Sequence, residues 1–249
     1  MLSLPSLEDV NNVIHSYEPN DLQFDYLKLD VTNANSSKLI STNELTLVED
    51  ITRTASLATG VFSTDYMIWK LNGHSITVGE GNRTGVVFLR NAAKIRVEGD
   101  GEIRNETGYG LWLSGENTHA IINGGRWYAQ THVLYAESGT IEVHGGEFHC
   151  VNTEDPKFLL NCLDANYTNG KAKIIVSGGK FYGFDPAASM GEPSGPVSFL
   201  AKGYKSVKLD NQEANDKGVM LDVYEVIPDD SATAEPGNGT DTGAIDNNP

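Results

Sequence analysis

The segment VHGGEF at 143–148 decides the fold of this 249-residue chain, because two other segments repeat its pattern. INGGRW at 122–127 and VSGGKF at 176–181 share its order: branched aliphatic, polar, Gly, Gly, charged, aromatic. Two weaker relatives precede them, VEGDGEI at 97–103 with one extra residue and LNGHSI at 71–76 with His for the second Gly. A pattern that recurs in this way indicates a repeat architecture.

The spacing of the repeats narrows the architecture. The steps are 26, 25, 21 and 33 residues between Gly73, Gly99, Gly124, Gly145 and Gly178. A step of 21 to 26 residues, at roughly 3.3 Å per residue, makes a closed path of about 70 to 85 Å, enough for three short strands. Coils stacked about 4.8 Å apart would pair strand to strand and bury a continuous core. The sequence therefore predicts an all-β parallel β-helix, or solenoid.

The template also predicts which side chains are buried. Its aliphatic and aromatic ends would stack inside the solenoid, and its glycines would turn the corner with positive φ. The polar and charged positions would face solvent, namely Asn123, His144, Ser177, Arg126, Glu147 and Lys180. From about residue 24 the chain supports this prediction with short runs rich in Val, Ile, Thr and aromatic residues, broken by Gly, Asn and Asp.

The chain divides into four parts: 1–23, 24–195, 196–227 and 228–249. The first is a connector with a short amphipathic helix, which would either cap the end of the core or dock on a larger assembly. The second is the β-helix, and the third is a C-terminal β cap over an otherwise open edge. The fourth carries acidic residues and almost nothing to bury, so we expect a flexible acidic tail.

Charge and hydropathy limit the partners. Eighteen Lys and Arg against 34 Asp and Glu give a net charge of −16, which repels nucleic acid and anionic lipid surfaces. No run of 18 apolar residues and no classical signal peptide is present, so we expect neither a membrane span nor secretion by that route.

Cys150 and Cys162 are interpreted as buried free thiols, although a disulfide remains open if they meet in space.

Candidate chemistry rests on carboxylates and histidines. Glu116 with Glu137, and Glu142 with Glu147, fall where successive coils could bring two carboxylates together for acid–base work. NTED at 152–155 resembles the Asn-Thr-Asp motif of polygalacturonase-like hydrolases, but Glu154 follows Thr153 and no Gly-His-Gly occurs. The histidines lack metal-ligand spacing: His15, His74, His119, His132, His144 and His149. The sequence therefore predicts no catalytic, cofactor-binding or metal-binding residue.

Exposed aromatic residues could bind sugars. Trp112, Trp127, Tyr128 and Tyr135 are the candidates, because alternation along a strand turns some of them outward. A register slip of one residue would bury them instead, and core packing is the favoured interpretation for most of them.

The most specific resemblance lies at IIVSGGKFYGFDPA, 174–187, followed by FLAKGYKSV, 199–207. Here the chain resembles the Gly-Gly-x-Phe right-handed β-helix proteins of tailed-bacteriophage virions, over roughly residues 60–227. The resemblance implies a right-handed solenoid, often a homotrimer, in a tail fibre, tailspike or capsid-decoration protein. It also implies synthesis in the host cytoplasm and contacts with other virion proteins.

The resemblance favours a non-enzymatic structural and binding protein of the virion, with a host glycan as a further partner. Two alternatives remain: a small polysaccharide-degrading β-helix enzyme, either hydrolase or lyase, and a carbohydrate-binding module. The repeat residues specify the fold and carry no chemistry of their own, so they do not choose among these functions.

Overall fold

The computed structural model describes residues 37–41, 44–47, 49–53, 57–59, 66–79, 85–90, 92–151, 156–193, 195–215 and 217–233. The helix predicted within residues 1–23 lies outside the described residues. Of the flexible tail predicted at 228–249, residues 234–249 also lie outside them, but residues 228–233 are described: a strand ends at Pro228 and Asp230–Thr233 forms a 3₁₀ helix.

Short strands make up most of the described chain. In chain order they are β1 (Ser37–Ser41), β2 (Glu44–Leu47), β3 (Ile51–Arg53), β4 (Leu57–Thr59), β5 (Met67–Lys70), β6 (Ser75–Val78), β7 (Gly85–Arg90), β8 (Lys94–Glu98), β9 (Glu102–Asn105), β10 (Tyr109–Ser114), β11 (His119–Ile122), β12 (Arg126–Ala129), β13 (Leu134–Ala136), β14 (Gly139–Val143), β15 (Glu147–Cys150), β16 (Leu160–Cys162), β17 (Ala172–Val176), β18 (Lys180–Tyr182), β19 (Tyr204–Ala214) and β20 (Met220–Pro228). One helix, α1 (Asp164–Thr168), and a short 3₁₀ helix at Asp230–Thr233 complete the described elements.

The strands form three sheets that run the length of a solenoid. Sheet A has the order β1-β2-β5-β8-β11-β14-β17, sheet B β19-β20-β18-β15-β12-β9-β6-β3, and sheet C β16-β13-β10-β7-β4. Each coil passes through A, B and C in turn, and its strands pair in parallel with those of the next coil. The predicted all-β parallel solenoid is confirmed. Among the described residues, no helix is long and apolar enough to cross a bilayer.

Two columns of buried side chains show why the repeat stacks. Val97, Ile122, Val143 and Val176 lie in register on sheet A, and Ile103, Trp127, Phe148 and Phe181 lie in register on sheet B. All eight are fully buried. The rings of Phe148 and Phe181 stack with centroids 5.0 Å apart. Burying each such side chain contributes about 1.5–3 kcal/mol, so the columns are the main cohesive element of the solenoid.

The two glycines of each repeat have different structural roles. Gly146, the second glycine, has φ 109°, a conformation that side chains with a Cβ rarely adopt. Gly145, the first, instead allows close stacking, because a Cβ there would lie 2.9 Å from the carbonyl oxygen of Asn123 on the preceding coil. The predicted role in the corner is therefore confirmed for the second glycine, whereas the first is required by contact between coils.

The earliest repeat is aligned differently from the sequence prediction. Trp69, rather than Leu71, pairs with Val97 on sheet A, while Ile76 pairs with Ile103 as the template requires. The first corner is therefore two residues longer at its aliphatic end. Leu71 is buried inside this corner. The sequence pattern could not reveal this difference because Leu71 fits the template equally well.

The long step between 145 and 178 keeps the solenoid intact. Leu160–Cys162 forms β16, so the strand predicted within FLLNCL is present. The helix α1 occupies the corner that follows.

Cys150 and Cys162 are free and buried, which confirms the interpretation as packed thiols. Burial raises the pKa of the Cys150 thiol to about 12, so it is protonated at neutral pH.

The two ends of the solenoid are closed by antiparallel strands. At the N-terminal end β1 pairs with β2, and at the C-terminal end β20 pairs with β18 and β19 with β20. We call β19 and β20 the C-terminal hairpin. Phe184 and Phe199 lie in the connection between β18 and this hairpin and are buried in the core at that end of the solenoid. β19 is largely exposed and carries a register shift between Lys208 and Gln212. Irregular, charged edge strands of this kind resist pairing with other chains.

Candidate functional site

A continuous patch of aromatic rings covers the outer side of sheet C. We call it the aromatic face, and its rings are Phe88, Tyr109, Trp112, His132, Tyr135 and Phe158. Every ring is partly exposed. Neighbouring centroids lie 4.9 Å apart between Phe88 and Trp112 and 5.9 Å apart between Trp112 and Tyr135. The patch is therefore one connected surface.

Strand alternation places these rings outside. On β10, Leu111 and Leu113 point into the core and Trp112 between them points outward. The parallel register aligns Trp112 with Phe88 on one side and with Tyr135 on the other. A second column beside it contains Tyr109, His132 and Phe158, and the Tyr109 ring stacks on Tyr135 at 5.3 Å. Two adjacent columns thus widen the patch beyond a single strand.

Burial keeps two rings of the aromatic face, His132 and Tyr135, uncharged. Burial lowers the pKa of His132 to about 4, so its imidazole is neutral at physiological pH. Burial also raises the pKa of Tyr135 to about 12, with a smaller contribution from the Glu137 charge. The phenol of Tyr135 therefore keeps its proton as well. The charge that contacts the patch beside Tyr135 is the Glu137 carboxylate, which is hydrogen-bonded to the Trp112 indole.

Polar and cationic groups frame the rings. Trp112 Nε1 donates a hydrogen bond to Glu137 Oε2 at 3.1 Å, which fixes the orientation of the indole. The guanidinium of Arg90 lies 5.3 Å from the Phe88 ring centroid, and the ammonium of Lys157 lies 4.6 Å from that of Phe158. The two cations lie at the two ends of the patch, beside Phe88 and Phe158.

The sequence candidates for exposed aromatics separate into different environments. Trp112 and Tyr135 lie on the aromatic face, Tyr128 lies outside on sheet B, and Trp127 is fully buried. Trp127 is thus buried as the repeat predicted for its aromatic position, so it is not part of an exposed surface. Phe88, Tyr109, His132 and Phe158 were not singled out as part of a surface. The period-2 pattern around VVFLR contained that signal for Phe88, and the others required the pairing register.

The candidate carboxylates have separate partners. Glu116 forms an ion pair with Lys171 at 2.6 Å, while Glu137 holds the Trp112 indole. Glu142 lies on sheet A and Glu147 on sheet B. Glu142 Oε1 contacts His119 Nε2 at 3.1 Å, and its Oε2 contacts His144 Nε2 at 3.2 Å. Among the described residues, neither proposed pair of carboxylates is brought into contact, and NTED at 152–155 lies outside them.

A hydrogen-bonded chain on sheet A brings a phenol, an imidazole and a carboxylate together. The Tyr66 hydroxyl contacts His119 Nδ1, and His119 Nε2 contacts Glu142. Desolvation raises the pKa of Tyr66, and the nearby Glu142 charge raises it further. The arrangement has the form of a proton relay. His15 is not described, and among the described residues no three His, Cys, Asp or Glu side chains are grouped to hold a metal.

The stacked glycines also shape the surface. A groove of about 550 Å³ follows the corner between sheets A and B, and Gly101, Gly125, Gly146 and Gly179 form part of its floor. On its sheet B side, Glu102, Arg126, Glu147, Lys180 and Glu225 occupy matching positions on successive strands. Their charges alternate in sign, which stabilises neighbouring strands. The charged ladder therefore has a structural explanation.

Comparison with known proteins gives no relative for this chain. No protein-family model matches it, and neither a curated protein nor a solved structure is significantly similar.

Proposed function

We propose that this chain is a non-enzymatic structural and binding protein of a tailed-bacteriophage virion, in capsid decoration or in a tail or fibre. Its solenoid would hold the aromatic face at a fixed position on the particle. The aromatic face is the observation that carries the binding role, because partly exposed rings in one connected patch are costly to leave in water. The likeness of the Gly-Gly-x-Phe repeats to virion proteins supports the location.

The construction of the solenoid supports a role as a rigid support. Each described coil is joined to the next by strand pairing and by the columns of buried side chains. Such a stack resists bending because any bend would separate packed side chains and break hydrogen bonds at once. We further propose that the chain is made in the host cytoplasm, contacts other virion proteins and forms a homo-oligomer, with a trimer favoured.

Quantitative mass spectrometry of purified particles tests the location. The particles come from the phage or induced prophage that encodes the chain, and peptides of the chain are counted against the major capsid protein. Hundreds of copies would indicate capsid decoration, and a handful to a few dozen would indicate the tail or a vertex. Absence from intact particles would contradict the virion role.

Terminal deletions test how the chain is attached. Removing residues 1–20 or 228–249 should lower the copy number in particles, because we propose that these terminal segments make the contacts with the particle. The solenoid itself should keep its unfolding transition in purified protein. Full incorporation of both truncated chains would contradict attachment through the termini.

A second candidate function has one observation in its favour. The chain from Tyr66 through His119 to Glu142 could move a proton, as a polysaccharide-degrading hydrolase or lyase requires. This function predicts new reducing ends or unsaturated sugars from a capsular or cell-wall glycan. Glu142→Gln should abolish them, and Glu116→Gln, which alters only an exposed ion pair, should not. If no glycan in a broad panel yields a product, the enzymatic function is ruled out.

A further inference from the structure

We propose that the aromatic face is a saccharide-binding site that takes a chain of pyranose residues along the solenoid axis. This proposal rests on the binding role given above and names the class of its ligand. The rings that would carry the contact are the partly exposed Tyr109, Trp112, His132 and Tyr135, between the two ends of the patch.

The coil spacing fits a polymer of sugars. Successive coils lie about 4.8 Å apart, close to the length of one pyranose residue in an extended chain. Phe88, Trp112 and Tyr135 are in register on three successive coils, so each coil offers one ring of the column. A sugar chain lying along this column would place one residue over each ring. In a polypeptide strand the side chains on one face recur every second residue, roughly 6.4–6.8 Å apart, so a strand lacks this match.

The chemistry of the surface also fits a sugar. A pyranose ring has an apolar face of C–H groups and an edge of hydroxyls, and the aromatic face offers both counterparts. Trp112 and Tyr135 supply ring surface, while the hydroxyls of Tyr109 and Tyr135 have no hydrogen bond to any described residue. Amphipathic rings of this kind favour ligands that are apolar on one side and wet on the other.

The charge of the surface argues against an ion-pairing partner. His132 and Tyr135 are neutral at physiological pH, because burial disfavours their charged forms. The cations Arg90 and Lys157 lie against Phe88 and Phe158 at the ends of the patch. An uncharged polyol needs no counter-charge at the centre, where the Glu137 carboxylate already accepts a hydrogen bond from the Trp112 indole, whereas an anionic peptide segment would meet that carboxylate.

Affinity electrophoresis and calorimetry test the proposal with named probes. The full chain is run in gels containing hydroxyethyl cellulose, galactomannan or the surface polysaccharide of the host strain, and titrated with cellohexaose and mannohexaose. We expect retardation by at least one polymer. Trp112→Ala and Tyr135→Ala should each weaken that binding at least tenfold, and Trp112→Phe should restore part of it. No retardation by any polymer would overturn the proposal.

A matched control separates this site from any other aromatic surface. Tyr128 lies on β12 of the same coil as Tyr135, but it faces outward on sheet B. Tyr128→Ala should leave saccharide binding unchanged, and equal weakening by Tyr128→Ala would overturn the assignment to sheet C. Circular dichroism and urea unfolding of each variant verify that the solenoid is folded.

Light scattering of the same variants tests the competing occupant, a second copy of the chain. If Trp112→Ala converts an oligomer into monomers and no saccharide binds, the aromatic face is a subunit interface and the proposal is wrong. Particle mass spectrometry is independent of this result. A chain that binds saccharide but is absent from particles would refute the virion role alone, and a chain in particles that binds no saccharide would refute the site alone.

Discussion

The outer faces of sheets B and C carry similar rings but are covered differently. On sheet B, Tyr128, His149 and Tyr182 stack on successive coils, with the Arg104 guanidinium over Tyr128 at 4.1 Å. The C-terminal hairpin adds to that sheet and packs Leu221 and Val223 with Tyr182. Sheet C has no such hairpin on its described strands. The outward rings of sheet B thus stabilise the fold, because the hairpin packs on that sheet. Those of sheet C remain available to a ligand.

The largest expected effect separates an inward from an outward tryptophan. Trp127→Ala should destabilise the protein by about 3–5 kcal/mol, because it opens a cavity in the sheet B column. Trp112→Ala should cost less than about half of that, since its indole already touches water. Urea unfolding followed by far-UV circular dichroism measures both. Equal costs would mean that the sheet C face is covered in solution.

The hairpin on sheet B gives the next effect. Leu221→Ala should cost about 2 kcal/mol, because Leu221 is buried beside Tyr182. The neighbouring Met220→Ala should stay within about 0.5 kcal/mol, because Met220 is exposed. Nitration of Tyr182, mapped by peptide mass spectrometry, should accelerate in the first variant only. If Tyr182 reacts as fast in the unchanged protein, the hairpin does not protect sheet B.

The edge strands of sheets B and C also differ, and the pH dependence of stability should reveal the difference. β20 pairs with β18 at the edge of sheet B, whereas on sheet C the Glu192 carboxylate accepts a hydrogen bond from the backbone N–H of Cys162, on edge strand β16. Burial raises the pKa of Glu192 above its ordinary 4.5, and the Asp164 charge adds to the shift. Folding therefore takes up a proton over part of the pH range.

A raised carboxyl pKa gives a defined pH dependence. The favourable contribution of protonated Glu192 is complete below pH 4.5 and is lost as pH rises through the pKa of the folded state. Glu192→Gln keeps an oxygen for the Cys162 N–H without the charge. Relative to this variant, the unchanged protein should become less stable as pH rises from 4.5, by less than either effect above. Parallel urea curves across that range would contradict the assignment.

The smallest expected effect is on the pKa of Tyr135 in the aromatic face. The Glu137 charge is a secondary cause of the raised pKa of Tyr135, so Glu137→Gln should lower that pKa from about 12. Stability should change by about 1 kcal/mol or less, the usual contribution of one hydrogen bond. Ultraviolet difference titration of the phenol measures the shift, with Tyr135→Phe identifying its signal. An unchanged titration would show that Glu137 points away from Tyr135 in solution.

The repeat made much of the fold predictable. The order aliphatic, polar, Gly, Gly, charged, aromatic contains both the period of 2 and the corner, so strands, core columns and solenoid followed from it. The pattern could not fix the first corner, where Trp69 and Leu71 are equally apolar. It also could not foresee α1, since a five-residue helix has no period of its own to detect.

The candidate site was predictable only in part. Trp112 and Tyr135 were named as exposed candidates, but so was Trp127, because a one-residue slip exchanges inside and outside. The aromatic face also needs Tyr109, His132 and Phe158, which come from three different coils. Their proximity depends on the pairing of β10, β13 and the segment before β16. No local sequence signal reports such a distance.

The sequence by itself determined the solenoid, because each repeat encodes its own strands, its corner and the side chains that meet the next coil. Only the tertiary structure decided which rings are surface and which are support, because exposure depends on strands far apart in the chain. Whether the hairpin covers a column, and whether neighbouring coils align their rings, are properties of the stack as a whole. The aromatic face exists for that reason: the register of sheet C joins rings that the chain keeps apart.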